Sequence, residues 1–99
     1  MALFVLICID KPNALALRMA TREAHLAYAG GQPKGMIRLG GPFLDEAGDM
    51  AGSLIIADMD DLAAAQAFNR DDPYTKAGLF ERVEIRPWKS TFGALEGLG

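Results

Sequence analysis

His25 is the only histidine in the chain, and it is the natural starting point for any acid–base chemistry. An imidazole with an ordinary pKa of ~6.5 gains and returns protons at cellular pH. Asp10 closes an apolar run. A carboxylate there can accept the N–H of an imidazole, fix its tautomer and stabilise its cation. It can equally be a solvated strand-end residue that helps cap the next helix, and the spacing alone leaves both readings open. Arg18 and Arg22 stand one helical turn apart on the side of His25. Together they could grip a carboxylate or phenolate. Arg22 is expected to point toward the apolar stripe of its helix, and Arg18 is expected to be the more solvated of the two. Asp72 and Tyr74 belong to an Asp-Pro-Tyr turn. The first role of that aspartate is to accept local backbone hydrogen bonds, and Tyr74 could present its hydroxyl to a pocket. Ser53 offers a second hydroxyl, but it lies outside any Gly-x-Ser-x-Gly elbow. A serine nucleophile is therefore not expected.

Composition excludes several functions. The net charge is −3, with 13 acidic and 10 basic residues and no basic run, so no nucleic-acid partner is expected. One histidine, one cysteine and scattered carboxylates lack zinc-ligand spacing. The cluster Asp45, Glu46 and Asp49 lacks the calcium-loop pattern. No phosphate-binding or dinucleotide fingerprint is present, and neither a cofactor nor a metal is expected. Cys8 has no partner for an intramolecular disulfide and reads as a small core residue in a reducing compartment. The N-terminal apolar run lacks the basic segment and cleavage site of a secretion signal, and it is too short to cross a bilayer. The expected location is the cytoplasm, with no membrane contact.

The 99 residues suffice for one domain, with a core over about 3–88 and a mobile Gly-rich tail. Residues 3 to 9 are continuously apolar and predict a strand buried on both faces. Pro12 breaks it, and Asn13 is placed to cap a helix over 14–29. On that helix Leu15, Met19 and Leu26 fall on one stripe. Strands over 36–39 and 50–57, joined by a polar turn, predict a hairpin. Asp60 or Asp61 caps a second helix over 62–69. After the Asp-Pro-Tyr turn and a short helical piece, 79–86 forms the last strand and closes at Pro87-Trp88. The order β-α-β-β-α-β predicts an α+β ferredoxin-like fold, an antiparallel four-stranded sheet with both helices on one face. The other face, left bare and apolar, predicts a homodimer.

Arg22-Glu23-Ala24-His25-Leu26, Gly40-Gly41-Pro42-Phe43, Gly52-Ser53, Asp72-Pro73-Tyr74 and the Gly78…Pro87-Trp88 ending resemble the YciI-like (YCII-related) family. The resemblance covers roughly residues 3 to 90. It implies a dimeric α+β barrel of ferredoxin-like subunits and a His–Asp pair in a cleft. His25 is then the histidine, with Asp10 the first candidate partner and Asp72 the second. Some relatives are dehydrochlorinases, which implies elimination chemistry on a small anionic or aromatic metabolite. The expected activity is thus cofactor-free acid–base catalysis by His25 and Asp10. Arg22, Arg18, Ser53, Asp72 and Tyr74 would contact substrate. The alternatives are a non-catalytic small-ligand module and an oxygen-using monooxygenase.

Overall fold

The computed structural model describes residues 2–93. The apolar run becomes β1 (Ala2–Asp10). It is followed by α1 (Leu15–Gly30), β2 (Ile37–Leu44), β3 (Met50–Met59), α2 (Leu62–Asp71), a single helical turn α3 (Pro73–Lys76) and β4 (Phe80–Trp88). All pairings are antiparallel, and the sheet order is β2-β3-β1-β4. This is the α+β, ferredoxin-like topology expected from the order of elements. The Gly-rich tail that the sequence marks as mobile falls mainly on residues 94–99, outside the described residues.

The two strands that carry prolines explain part of that order. Pro42 lies in β2 and Pro87 in β4, and these are the two edges of the sheet. A proline lacks the N–H that a central strand must donate to both neighbours, so edges are where it is tolerated. The proline-free β1 and β3 take the centre. The hairpin turn between β2 and β3 is held by Asp45, whose Oδ1 accepts from the N–H groups of Ala47 and Asp49 at 2.9 and 3.0 Å.

Along β1 the even residues Phe4, Leu6 and Cys8 are buried beneath the helices, and the odd ones are only half-buried. Strand side chains alternate between faces, so the two sides of β1 have different cover. Phe4, Leu6, Ile55, Ala57 and Met59 meet Ala65 and Phe68 of α2 to form the core. On the opposite side the register brings Val5 beside Ile56, Ile7 beside Leu54, and Leu39 beside Ile56. Across β2, β3 and β1 that side is largely apolar, its β4 edge carries Arg82, Glu84 and Arg86 beside Ile9, Ile7 and Val5, and no helix covers it. The expectation that β1 is buried on both faces is therefore met on one face only within a single chain.

Two local expectations for α1 are corrected. Asn13 does not cap the helix. It sits at φ 58°, and Ala14 takes the N-cap position without a side-chain bond. Asparagine tolerates this left-handed conformation better than most residues, so here it turns the chain rather than capping it. The stripe Leu15, Met19 and Leu26 does not face the sheet either. These side chains are exposed, at 37%, 54% and 49%. The inward positions are Arg18, Thr21, His25 and Tyr28. Asp61 does cap α2, accepting from the Ala64 N–H at 2.8 Å.

Among the described glycines, Gly52 has the tightest surroundings. A Cβ built there would lie 2.5 Å from the Cys8 carbonyl oxygen and 3.0 Å from the Phe43 ring. The carbonyl belongs to a central strand and cannot move alone. Gly52→Ala is expected to destabilise the fold by roughly 1–3 kcal/mol. Gly41→Ala, with open space at its Cβ position, should lie much closer to wild type. Urea unfolding of the two variants measures the difference.

Candidate functional site

The inward face of α1 is polar where a helix of this size ordinarily packs leucine. The reason lies at the end of β1. A register shift between Ile9 and Asp10 interrupts the regular ladder next to the Asp10 side chain, which is 4% exposed. Arg18 meets it with a two-pronged bond. Nε donates to Oδ2 at 2.7 Å and Nη2 to Oδ1 at 2.9 Å. Nη2 also donates to Ser53 Oγ at 2.9 Å. Burial works against the Arg18 charge, and the Asp10 carboxylate more than offsets it, so the guanidinium is held above its ordinary pKa. It remains a cation at every physiological pH.

Seven residues further along α1, about 10 Å at 1.5 Å per residue, stands His25. Its Nδ1 lies 2.9 and 3.1 Å from the two carboxylate oxygens of Asp72. Asp72 is also the N-cap of α3, where its Oδ1 accepts from the Tyr74 N–H at 2.9 Å. The ring of Tyr74 stacks on the imidazole, with centroids 4.1 Å apart and planes 16° apart. The Arg18 Cζ lies 4.5 Å from the same ring's centroid. Burial pushes the Tyr74 phenol above its ordinary pKa, and Arg18 and Arg22 offset this only in part. The hydroxyl therefore stays protonated.

These side chains line a cleft of about 150 Å³. Arg18, His25, Ser53 and Tyr74 form its polar part, and Arg22 contributes from an exposed position. Leu26, Pro42, Met50 and Ile55 form the apolar part. A larger groove of about 590 Å³ opens elsewhere, between Tyr28, Met36, Met59 and Phe68. It holds no imidazole and no buried ion pair, so the smaller cleft is the candidate site. Cys8 lies outside it. Burial, with Asp72 adding to it, pushes its thiol up to about 12, so it is no nucleophile at neutral pH. Among the described residues no three His, Cys, Asp or Glu side chains are grouped closely enough to hold a metal ion. No described helix is long and apolar enough to cross a membrane.

The geometry rearranges the expected partners. Asp10 does not contact His25. It is taken by Arg18, which sits nearly two turns before the histidine. Asp72, the second candidate, is the carboxylate within hydrogen-bond distance of the imidazole. The two arginines exchange places: Arg18, expected in solvent, is 2% exposed, and Arg22, expected near the core, is exposed. The signal that distinguishes them is present in the sequence as a second helical stripe, 18–21–25–28, parallel to the leucine stripe. Its polar character makes it read as the solvent face.

Sheet order, bare apolar face and cleft together define a ferredoxin-like subunit of the type found in α+β barrels. The chain belongs to the YCII-related domain family, whose model matches residues 2–89. It is 36% identical over 97 residues to the protein YciI of Escherichia coli O6:H1, covering 91% of this chain and 99% of that one. Among solved structures it is similar to the 5-chloro-2-hydroxyhydroquinone dehydrochlorinase TftG of Burkholderia phenoliruptrix AC1100, in complex with 2,5-dihydroxybenzoquinone. The TM-score is 0.83 and the identity 35%, covering 90% of this chain and 95% of that one. An antibiotic biosynthesis monooxygenase shares the fold at 13% identity and a TM-score of 0.57, over 92% of this chain and 99% of that one.

Removing one member of a buried ion pair strands the other, at a cost of about 3–5 kcal/mol. Arg18→Met is expected to destabilise the protein by that amount. Adding Asp10→Asn to it should recover part of the loss, because the stranded charge is gone. Urea denaturation of the single and double variants checks both values.

Proposed function

We propose that the chain is a cofactor-free acid–base enzyme acting on a small anionic, single-ring substrate. The reaction is removal of a proton with departure of an anionic leaving group, as in dehydrochlorination. The observation that carries this reading is the placement of His25. Its Nδ1 is engaged by a buried carboxylate, and its ring lines the cleft. An imidazole held through Nδ1 offers Nε2 to a ligand. With Nδ1 as donor to Asp72, Nε2 accepts the substrate proton, and the imidazolium that forms is stabilised by the Asp72 carboxylate. The electron pair of the broken C–H or O–H bond becomes a new π bond, the leaving group departs as an anion with the pair of its own bond to carbon, and the proton passes from Nε2 to solvent.

The binding groups support the same class of substrate. Arg22 makes no ion pair among the described residues, and its charge is available to a phenolate or carboxylate. The Arg18 charge is already balanced by Asp10, so it serves as a fixed wall with hydrogen-bonding capacity. Leu26, Met50 and Ile55 suit a ring face. A cavity of roughly 150 Å³ is the size that accommodates benzene in a protein interior, which matches one ring. TftG, solved with a dihydroxybenzoquinone, adds analogy on both reaction and ligand. The fold likeness to a monooxygenase at 13% identity adds nothing on chemistry.

Two copies are proposed to pack through the bare sheet faces. Val5, Ile7, Leu39, Phe43 and Leu54 are half-buried in the isolated chain and neighbour one another across β1, β3 and β2, an apolar patch without helical cover that is bordered by Arg82, Glu84 and Arg86 of β4. Ile7→Arg at the centre of that surface is expected to convert a species of twice the chain mass into one of the chain mass. Light scattering after size exclusion reads this directly, and an unchanged mass would refute the proposed interface.

The catalytic reading is tested by chloride release from chlorinated dihydroxy- and trihydroxybenzenes. His25→Ala is expected to lower kcat/KM by about 10²–10⁴, the usual worth of a general acid–base group. Asp72→Asn should act in the same direction, and Arg22→Ala should raise KM more than it lowers kcat. A ring ligand that binds wild type and His25→Ala equally well and is never turned over would instead establish a binding module.

A further inference from the structure

One hydrogen bond does not hold an imidazole still. The bond from His25 Nδ1 to Asp72 fixes the position of one ring atom, but the ring can still rock about that contact. The direction of Nε2, on the far side of the ring, depends on the ring plane. The geometry points to Tyr74 as the residue that sets this plane: we propose that its stacked ring is a positioning element that aims Nε2 of His25 into the cleft, with the aromatic face rather than the hydroxyl doing so. The inference rests on the reading of His25 as the acid–base group.

Tyr74 is equipped for this from every side. It is 1% exposed, so its ring has no room to move. Its backbone N–H is tied to Asp72 Oδ1, the same oxygen that lies 2.9 Å from His25 Nδ1. Backbone and imidazole thus share one anchor. The Arg18 guanidinium lies 4.5 Å from the ring centroid, a cation–π distance. Phe80 of β4 meets the ring edge-on, with centroids 6.0 Å apart and planes at 74°. The ring is therefore held by α1 through Arg18, by β4 through Phe80 and by its own α3 backbone. It presents a fixed plane 4.1 Å from the imidazole. This also gives the buried Arg18–Asp10 pair a route to the histidine it does not touch. Arg18 steadies Tyr74, and Tyr74 steadies His25.

Because His25 is the only histidine, its ring signals in an NMR spectrum are unambiguous, and they require no substrate. In the wild type, stacking on Tyr74 is expected to shift the imidazole ring protons upfield of their free values, with a downfield Nδ1–H signal protected by Asp72. Tyr74→Phe, which keeps the ring, should preserve both. Tyr74→Leu should broaden or abolish the Nδ1–H signal while the backbone amide spectrum stays that of a folded protein. With a turned-over substrate in hand, Tyr74→Leu should lower kcat by roughly 10–10²-fold, the scale of a misplaced catalytic group. KM should change little, and Tyr74→Phe should restore kcat. An unshifted imidazole in the wild type, readable even if Tyr74→Leu fails to fold, overturns the proposal. So does a Tyr74→Leu variant that keeps the sharp Nδ1–H signal. Absence of turnover with these NMR signals as expected would count against the proposed reaction and leave the positioning role standing.

Discussion

A guanidinium lies under helix α1 where the packing of a helix on a sheet would ordinarily call for an aliphatic side chain. Taking a charge out of water costs several kcal/mol even after relaxation, and Arg18 is almost wholly buried. The fold meets that cost with a set of matched partners. Asp10 accepts through both oxygens, Ser53 accepts from the same Nη2, and Tyr74 offers its ring face. These partners come from β1, β3 and α3, so one side chain ties the first helix to two central strands and to the turn after α2. The rotation of α1 follows. With Arg18 directed inward, Thr21, His25 and Tyr28 must follow at helical spacing, Leu15 and Met19 must face outward, and Leu26 stays half exposed at the cleft.

Asp72 performs the second fixing step with equal economy. It ends α2, caps α3 and receives the imidazole. Pro73 stands at the first position of α3, where its missing N–H leaves nothing unsatisfied and its rigid φ helps start the turn. The Asp-Pro-Tyr segment is thus a structural turn and part of the site at once. Reading it as a turn is correct and incomplete, because the carboxylate that caps the turn has a second oxygen and further lone pairs free to hold His25.

Most of the fold is legible in the sequence, because its punctuation is local. Pro12, the Gly30-Gly31 pair, the acidic turn at 45–49 and the Asp-Pro dipeptide separate the elements by rules that act within a few residues. The alternation in β4 and the apolar run of β1 identify strands in the same way. The site is less legible because its pairings are tertiary. Asp10 and His25 lie on consecutive elements, which makes their contact a natural expectation. However, the crossing of α1 over β1 places Arg18, not His25, at the strand end. Which of two parallel stripes on α1 turns inward is a choice between burying leucines and burying a matched ion pair. Hydrophobic periodicity sees only the first option.

Sequence rules that fail at one place in an otherwise consistent protein tend to fail where function resides. Here the failure with most bearing on the site falls on the inward face of α1, whose Arg18 and His25 line the cleft. A helix that spends its inward face on Arg18, His25 and Tyr28 adds less apolar burial than a leucine-faced helix of equal length. The hydrophobic core draws its helical cover mainly from α2. A domain of this size has little core to spare. The uncovered face of the sheet, where Val5, Ile7, Leu39 and Leu54 are only half-buried, holds apolar surface that could offset that deficit. The proposed dimer and the polar cleft are therefore two consequences of the same arrangement. In the proposed dimer, burying the bare face between two copies would supply stability that lets α1 carry charge inward.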